Sequence, residues 1–541
     1  MLIDFVVLAC VVAAVVIWCF RVGRLPLLIV TIGGIVGAAY GVWIGRWQVG
    51  AGVPLFAVLL LLLLVIGRRY FAGRGVPVLS GGLALLLAAL PAVLIYAFPI
   101  ADLPKPDGQY KVGVRTFELR DPERLGVMAA APDAPRRLLV RVWYPADATA
   151  LDADAAPAAY FSDLEAQTTA TALGESLSFP PLISHLKLVS TNSYTDAPLL
   201  DTRAPLPVVI YSHGFGSFLA QNTALMEHLA SHGYAVYSIQ HTYDSAPTVF
   251  PNGDVLPTDP ALLAPPSDES GSEEGVPPFI GVPDTAERFV SRIADQQRAY
   301  GENSRLAVVS AQTWFDDVRF VLDQLQAGAV PQTVREIVAA STFEKVAVTG
   351  MSFGGSTAGG VCWVDRRCAV GINMDGLDYH IAGFGKTMPV PFLLLHGDLK
   401  EFSELLGLPS ENDPQSFNEF SYGRYEREDR QTNIERHSIK GALHLGYSDF
   451  MLFLRRPFRD SLLGSTPADV MISLQNKMVK GFIDQHLLGR QETATGSLTE
   501  EEKEWVLPIS DDAVPDWWES LSEPERARVE AQIEALDTVW E

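Results

Sequence analysis

Lys345–Ser356 reads K-V-A-V-T-G-M-S-F-G-G-S, and this stretch decides the fold. Lys345–Thr349 is a short β-rich run. Gly350-Met351-Ser352-Phe353-Gly354 then matches G-x-S-x-G, and the small residues Gly354, Gly355 and Ser356 open a helical stretch. A serine at the tip of a sharp strand-to-helix turn sits in a strained backbone conformation, and glycines two positions either side let the chain pass closely enough to make the turn. The turn exposes the serine oxygen and aims a helix N-terminus at it, which suits a nucleophile. Ser352 is the expected nucleophile; the rival reading is an ordinary glycine-rich turn.

Working outward, strands alternate with helical stretches. Tyr110–Leu119, Arg137–Tyr144, Pro207–Ser212, Tyr234–Ile239, Ala369–Met374, Pro391–Leu395 and Asn433–Ile439 read as strands, and Gln221–His232 and Thr313–Leu325 as helices. That alternation implies an α/β domain with a mostly parallel sheet covered by helices on both faces. A long irregular stretch, about 244–284, is rich in Pro, Gly, Ser and acid and reads as an insertion whose acidic run Asp268–Glu274 is solvated. From about Leu498 to Glu541 the chain is an acidic extension carrying Trp517 and Trp518, an amphipathic cover.

A nucleophilic serine needs an oxyanion hole, a base and an acid. In such a turn one oxyanion donor is the backbone N–H after the nucleophile, here Phe353. The second comes from an earlier strand-end loop, and Ser212-His213-Gly214-Phe215-Gly216 follows such a strand, so Phe215 is the second candidate. His213 is expected to brace this loop. Five histidines follow the serine: His380, His396, His437, His444 and His486. His437 falls within a strand and His396 within a turn. His444 lies in the loop after the Asn433–Ile439 strand, at the sheet edge where open parallel sheets hold their sites, and is the expected base. Two acids compete: Asp375 ends the strand G-I-N-M-D, and Asp398 ends the next in H-G-D. Asp378 and His380 lack a third ligand of suitable spacing, no Cys/His spacing resembles a zinc site, and no metal or cofactor is expected.

Composition adds a second part. Of 541 residues, 48% are hydrophobic and 19% charged. Residues 1–100 hold six Arg, no Lys and a single acid, Asp4; the remainder carries 35 basic and 63 acidic residues, a net of −28. So acidic a part argues against nucleic acid, whose affinity comes from phosphate neutralisation by Lys and Arg. Phe5–Phe20, Leu25–Gly45, Gly52–Gly67 and Val76–Phe98 are each near the ~20 residues a spanning helix needs. The expected organisation is a four-helix transmembrane anchor (1–98), a Pro-rich linker (99–108) and a catalytic domain (109–541). The first loop holds Arg21 and Arg24, the second Arg46, and the third Arg68, Arg69 and Arg74. Basic loops stay in the cytoplasm, so both termini and the catalytic domain are expected outside. That compartment permits a Cys362–Cys368 disulfide, with two buried thiols as the alternative. Gly33, Gly37, Gly41 and Gly45 line one face of the second span, as for close helix packing.

S-H-G-F-G-S, L-A-S-H-G-Y-A-V, G-M-S-F-G-G-S-T-A, G-I-N-M-D-G and G-A-L-H-L-G-Y-S-D-F occur in this order. Together, over roughly Lys105–Leu488, they resemble the platelet-activating factor acetylhydrolase family of α/β-hydrolases. The resemblance implies an α/β-hydrolase fold, a Ser352–Asp375–His444 triad, and Phe215 and Phe353 as oxyanion donors, leaving Asp398 as the alternative acid. It further implies calcium-independent cleavage of short acyl esters, including the sn-2 ester of glycerophospholipids. The four-helix part, the insertion and the acidic extension depart from the secreted animal members. The expected protein is a multi-pass membrane serine esterase acting on ester or phospholipid substrates. A serine peptidase of the same fold and a non-catalytic binding module are the alternatives.

Overall fold

The computed structural model describes residues 2–66, 70–71, 88–128, 131–151, 154–176, 178–179, 181–202, 204–259, 309–376, 388–405, 418, 433–509, 513–527 and 530–531. The chain forms two compact units: Met1–Asp102 with Ala159–Ser190 and Leu452–Arg459, and the remainder of the chain.

In the larger unit, ten strands form one sheet in the order β12-β11-β10-β9-β8-β4-β5-β2-β1-β3. They are β1 (Lys111–Leu125), β2 (Pro135–Ala146), β3 (Ser193–Thr195), β4 (Leu206–Ser212), β5 (Ala235–Gln240), β8 (Ser341–Met351), β9 (Cys368–Met374), β10 (Phe392–His396), β11 (Ile434–Ile439) and β12 (Val506–Pro508). The six central strands, β11 to β5 in that order, are all parallel, whereas β1–β2, β2–β5 and β11–β12 pair antiparallel. Val346–Met351 of β8 and all of β5 are buried on both faces. That is why these segments read as near-continuous apolar runs instead of alternating. The fold is an α/β-hydrolase fold.

Every strand expected from the sequence forms, with ends shifted by a few residues. β3 and β12 escaped the sequence reading because each is only three residues long. β12 belongs to the acidic extension, so that segment contributes an edge strand to the sheet. The Ala311–Gln326 helix buries Trp314, Val318, Val321, Leu322 and Leu325 on one stripe. Helical spacing puts these residues on one face, from which Val318, Val321, Leu322 and Leu325 pack on the sheet core and Trp314 packs against Phe353. Of the expected insertion, residues up to 259 are described and include a two-stranded hairpin, β6 (Thr248–Val249) with β7 (Val255–Leu256). The acidic run at 268–274 lies outside the described residues. Cys362 and Cys368 are joined by a disulfide, with Cα atoms 5.0 Å apart, tying the end of the Phe353–Val364 helix to β9.

In the smaller unit, Leu2–Cys19, Arg24–Trp43 and Trp47–Val65 are three helices long and apolar enough to cross a membrane. The fourth expected span, 76–98, is described only at its end, where Ala88–Ala97 is an apolar helix. One end of the unit is tied by Arg46, whose Nε donates to Asp4 Oδ1 at 2.9 Å and whose Nη1 donates to the Phe98 carbonyl at 2.7 Å. Tyr70 stacks on Trp18 with ring centroids 4.3 Å apart and donates its hydroxyl to the Trp18 carbonyl.

Candidate active site

β8 ends at Met351 and the helix begins at Phe353, so Ser352 occupies the turn alone, with φ 57° and ψ −126°. A positive φ is costly for a residue with a Cβ and persists only where its surroundings over-determine it. Here the surroundings are close backbones. A Cβ on Gly350 would lie 2.2 Å from the Gly354 carbonyl carbon, and one on Gly354 would lie 2.0 Å from the Ser212 carbonyl oxygen. The Ser352 N–H donates to the Met374 carbonyl at 2.9 Å, pinning the elbow to β9.

Ser352 Oγ lies 2.8 Å from His444 Nε2, and His444 Nδ1 lies 2.7 Å from Asp375 Oδ2. With these partners, Nδ1–H donates to the carboxylate and Nε2 accepts from the serine hydroxyl. His444 opens a one-turn helix, His444–Tyr447, after β11. Tyr447 anchors that turn by donating its hydroxyl to the His396 carbonyl at 2.7 Å. Asp375 follows β9 with φ 53°. Two clips hold it: Gly397 N–H donates to its Oδ1 at 2.7 Å, and Asn373 bonds the N–H and carbonyl of Gly376 just beyond. Enclosure by protein opposes a charge on His444, but the hydrogen bond and charge of Asp375 outweigh it and hold the imidazole above its ordinary range.

Asp398 has another task. Its carboxylate accepts from the N–H groups of Lys400, Glu401 and Gly441, capping the Leu399–Leu405 helix. His437 pairs with Glu435 at 2.7 Å, and His396 ends β10 buried. His486 ends the Ala468–His486 helix against Phe482. His380 and Asp378 lie outside the described residues.

The Ser212–Gly216 loop runs against the elbow: a Cβ on Gly214 would meet Ser352 Cβ at 3.3 Å. The rings of Phe215 and Phe353 stand 5.3 Å apart. His213 is a brace. Its Nδ1–H donates to the Gly214 carbonyl at 2.6 Å, its Nε2 accepts from His241 N–H, and burial holds its pKa down to about 3, with His241 adding to that. Gln221 ties the loop to β8, accepting from Gly214 N–H at 2.8 Å while its amide nitrogen contacts Met351 sulfur.

The sequence reading missed the support beneath this loop. Trp314 packs edge-on to Phe353 and His213, stacks on His241 with ring centroids 3.8 Å apart, and donates Nε1–H to Asp244 at 3.0 Å. Asp244 in turn accepts Gly216 N–H through its carbonyl. His241 donates to Asp317 and accepts from Ser212 Oγ. Fully buried Asp317 is also gripped by both nitrogens of an Arg136 fork and by Arg124. Burial alone would raise its pKa; Arg136 and His241 reverse that and hold the carboxyl well below the usual range. One signal was legible: Asp317 is an acid on the apolar stripe of the expected Thr313–Leu325 helix, a place that demands a buried partner.

Comparison with known proteins agrees with this architecture. Residues 96–504 match the family described as platelet-activating factor acetylhydrolase, isoform II. A platelet-activating factor acetylhydrolase of Cavia porcellus is 26% identical over 324 residues, covering 57% of this chain and 64% of that protein. One of Canis lupus familiaris is 24% identical over 329 residues, 59% of this chain and 66% of that protein. The match therefore spans just under two thirds of the length of these relatives. A ferulic acid esterase from Streptomyces cinnamoneus shares the fold, with a TM-score of 0.53 and 22% identity over 76% of this chain and 100% of that one. With the family matched over most of its length and an α/β-hydrolase sheet beneath the match, the chain belongs to the platelet-activating factor acetylhydrolase, isoform II, family.

Proposed function

We propose that the protein is a membrane-anchored serine esterase that cleaves short acyl esters. The observation that carries this reading is the continuous chain Ser352–His444–Asp375, at 2.8 and 2.7 Å, beginning at a serine held at positive φ. Ser352 Oγ attacks the acyl carbonyl as its proton passes to His444 Nε2. Asp375 holds the imidazole in the tautomer able to accept that proton and stabilises the imidazolium. The N–H groups of Phe353 and Phe215 receive the oxyanion, and the imidazolium then protonates the leaving alcohol. Water deacylates the enzyme by the same route, with His444 as base.

The names of the relatives and the aromatic rings beside the elbow support a short acyl group on a glycerophospholipid. Phe215 and Phe353 flank the acyl position, and Phe218 lies in the same loop. One or two methylenes in such a pocket are worth ~1–3 kcal/mol, so the preference is graded. The −28 charge of the chain beyond residue 100 favours zwitterionic or neutral esters over anionic ones.

An outward-facing catalytic domain is part of the same proposal. Asp4 and Phe98 both bond Arg46, so they belong to one end of the smaller unit. A chain that returns to its starting side crosses an even number of times. Three spans precede residue 66, which calls for one more before Phe98. The Cys362–Cys368 disulfide fits an oxidising compartment.

The test is a fluorophosphonate probe with a substrate series on the full-length protein. The expected result is covalent labelling at Ser352 and kcat/KM falling from acetyl to palmitoyl esters, with an sn-2 acetyl glycerophosphocholine cleaved. An unlabelled Ser352, or activity on peptide bonds alone, overturns the reading.

A further inference from the structure

The Thr223–Ser231 helix carries His228, and His232 caps its C-terminal end. Four positions apart, the two imidazoles lie on one face. Asp107 Oδ1 lies 3.0 Å from His228 Nδ1 and 3.6 Å from His232 Nε2, and the three atoms lie within 4.8 Å of one another. Tetrahedral zinc with ligand bonds of about 2.0–2.2 Å sets ligand-to-ligand spacings of about 3.3–3.6 Å. Of the two spacings to Asp107, the one to His232 lies at the top of that range and the one to His228 just below it.

The backbone builds this arrangement. A Cβ on Gly108 would lie 2.3 Å from the Ser231 carbonyl, so only glycine lets the chain lie flat against the helix end. Tyr110 N–H then donates to the Ser231 carbonyl at 3.1 Å. Together these contacts deliver Asp107 to the two rings. His232 Nδ1 lies 2.8 Å from the His228 carbonyl, which turns Nε2 toward the Asp107 carboxylate. A backbone carbonyl on the far ring nitrogen is also the outer contact that metal-bound histidines typically make.

The nearby cations are already engaged. Lys480 pairs with Asp484 and Glu492, and Lys477 with Glu502. The negative end of the helix dipole also favours a cation at this position.

We propose that Asp107, His228 and His232 form a zinc-type divalent transition-metal site, completed by water, that clips the chain at Asp107 to the C-terminal end of the Thr223–Ser231 helix. Two imidazoles and one carboxylate suit zinc-class ions over calcium or magnesium. The site is separate from the active-site brace, because Gln221 precedes the opposite end of this nine-residue helix. Its role is structural: it closes a clasp on the segment that leads from the apolar N-terminal part into the sheet.

The experiment uses the untagged full-length protein in detergent, stripped by dipicolinate and titrated with Co(II), then Zn(II). The expected result is one saturable Co(II) with the ligand-field bands of four-coordinate geometry, displaced by one Zn(II), with a rise in thermal midpoint. Asp107→Asn and His232→Ala should each weaken binding by at least about 10–100-fold while esterase activity on a soluble ester persists. These two variants carry the test because buried His228 is at greater risk of misfolding when changed. Absence of stoichiometric binding to the wild-type protein, or equal binding in both variants, overturns the proposal.

Discussion

Replacing Asp375 by Asn is the sharpest test of the proposed chemistry, because the structure dictates which way the new amide must face. Asp375 Oδ1 accepts the Gly397 N–H at 2.7 Å, and Oδ2 faces His444 Nδ1 at 2.7 Å. An asparagine keeps the first bond only with its carbonyl oxygen toward Gly397. Its NH₂ then points at Nδ1, which must become an acceptor, so the ring proton moves to Nε2. That nitrogen can no longer accept the Ser352 proton at 2.8 Å. The expected loss is about 10⁴-fold in kcat, or about 5 kcal/mol of transition-state stabilisation, with folding intact. Asp398→Asn provides the contrast. An asparagine keeps the two cap bonds through Oδ1 but turns its NH₂ toward the Gly441 N–H, so it should cost ~1–3 kcal/mol of stability, while the folded variant keeps most of its activity because Asp375, the partner of His444, is unchanged. The assay is kcat/KM on p-nitrophenyl acetate for the two folded variants. If Asp375→Asn retains activity within about tenfold, or Asp398→Asn is the more damaged, the tautomer argument is wrong.

Other outcomes follow from the same contacts. His444 must be neutral to act as base, and Asp375 holds its pKa above the ordinary ~6.5, so kcat/KM should fall as pH drops through a midpoint above that value. In Asp375→Asn the hydrogen bond and charge that raise it are gone, so the midpoint of the residual activity should move to lower pH. Asp317→Asn leaves Arg136 buried beside a neutral amide and should cost ~3–5 kcal/mol, read as a lower denaturation midpoint; a change within ~0.5 kcal/mol would remove this network from the stability argument. Mass mapping of the native membrane protein should find Cys362 and Cys368 linked, and two free thiols would withdraw the support they lend to an extracytoplasmic domain. Protease added to intact cells should cut the catalytic domain, and sparing it while the purified domain is cut would reverse the orientation.

The elbow was legible because its chemistry is local. Strand, glycine, serine, glycine and helix lie within a dozen residues, and the backbone strain they imply is found at Ser352. His444 was legible by chain order and strand edge. Read from the residues alone the acid stayed open, because Asp375 and Asp398 both end parallel strands; the family resemblance pointed to Asp375, and in the structure Asp375 faces His444 while Asp398 caps a helix. The support beneath the oxyanion loop was still less visible. Arg136, His241, Trp314 and Asp317 come from four separate segments, and no spacing in the chain records that a buried carboxylate will need two arginines and an imidazole at once. The same holds for Asp107 with His228 and His232, where a local four-residue spacing finds its third member far away in the chain.

Arg46 changes how the charge asymmetry of the N-terminal loops should be weighed. Counted by composition, it is the lone basic residue in the second loop, against five in the first and third. The positive-inside rule concerns charges that resist translocation, and an exposed Arg on the far side is a mark against an orientation. This Arg is not exposed: only 1% of its surface is accessible, its Nε is on Asp4, and its Nη1 is on the Phe98 carbonyl. Asp4 is the single acid in the first hundred residues. The two charges cancel where they meet, so the effective bias of the loops is five against none. Burying such a pair is expensive unless its geometry is good, and pairing at 2.9 Å with a further carbonyl acceptor meets that condition. Asp4 is therefore the partner that lets Arg46 join the first helix to the Phe98 carbonyl.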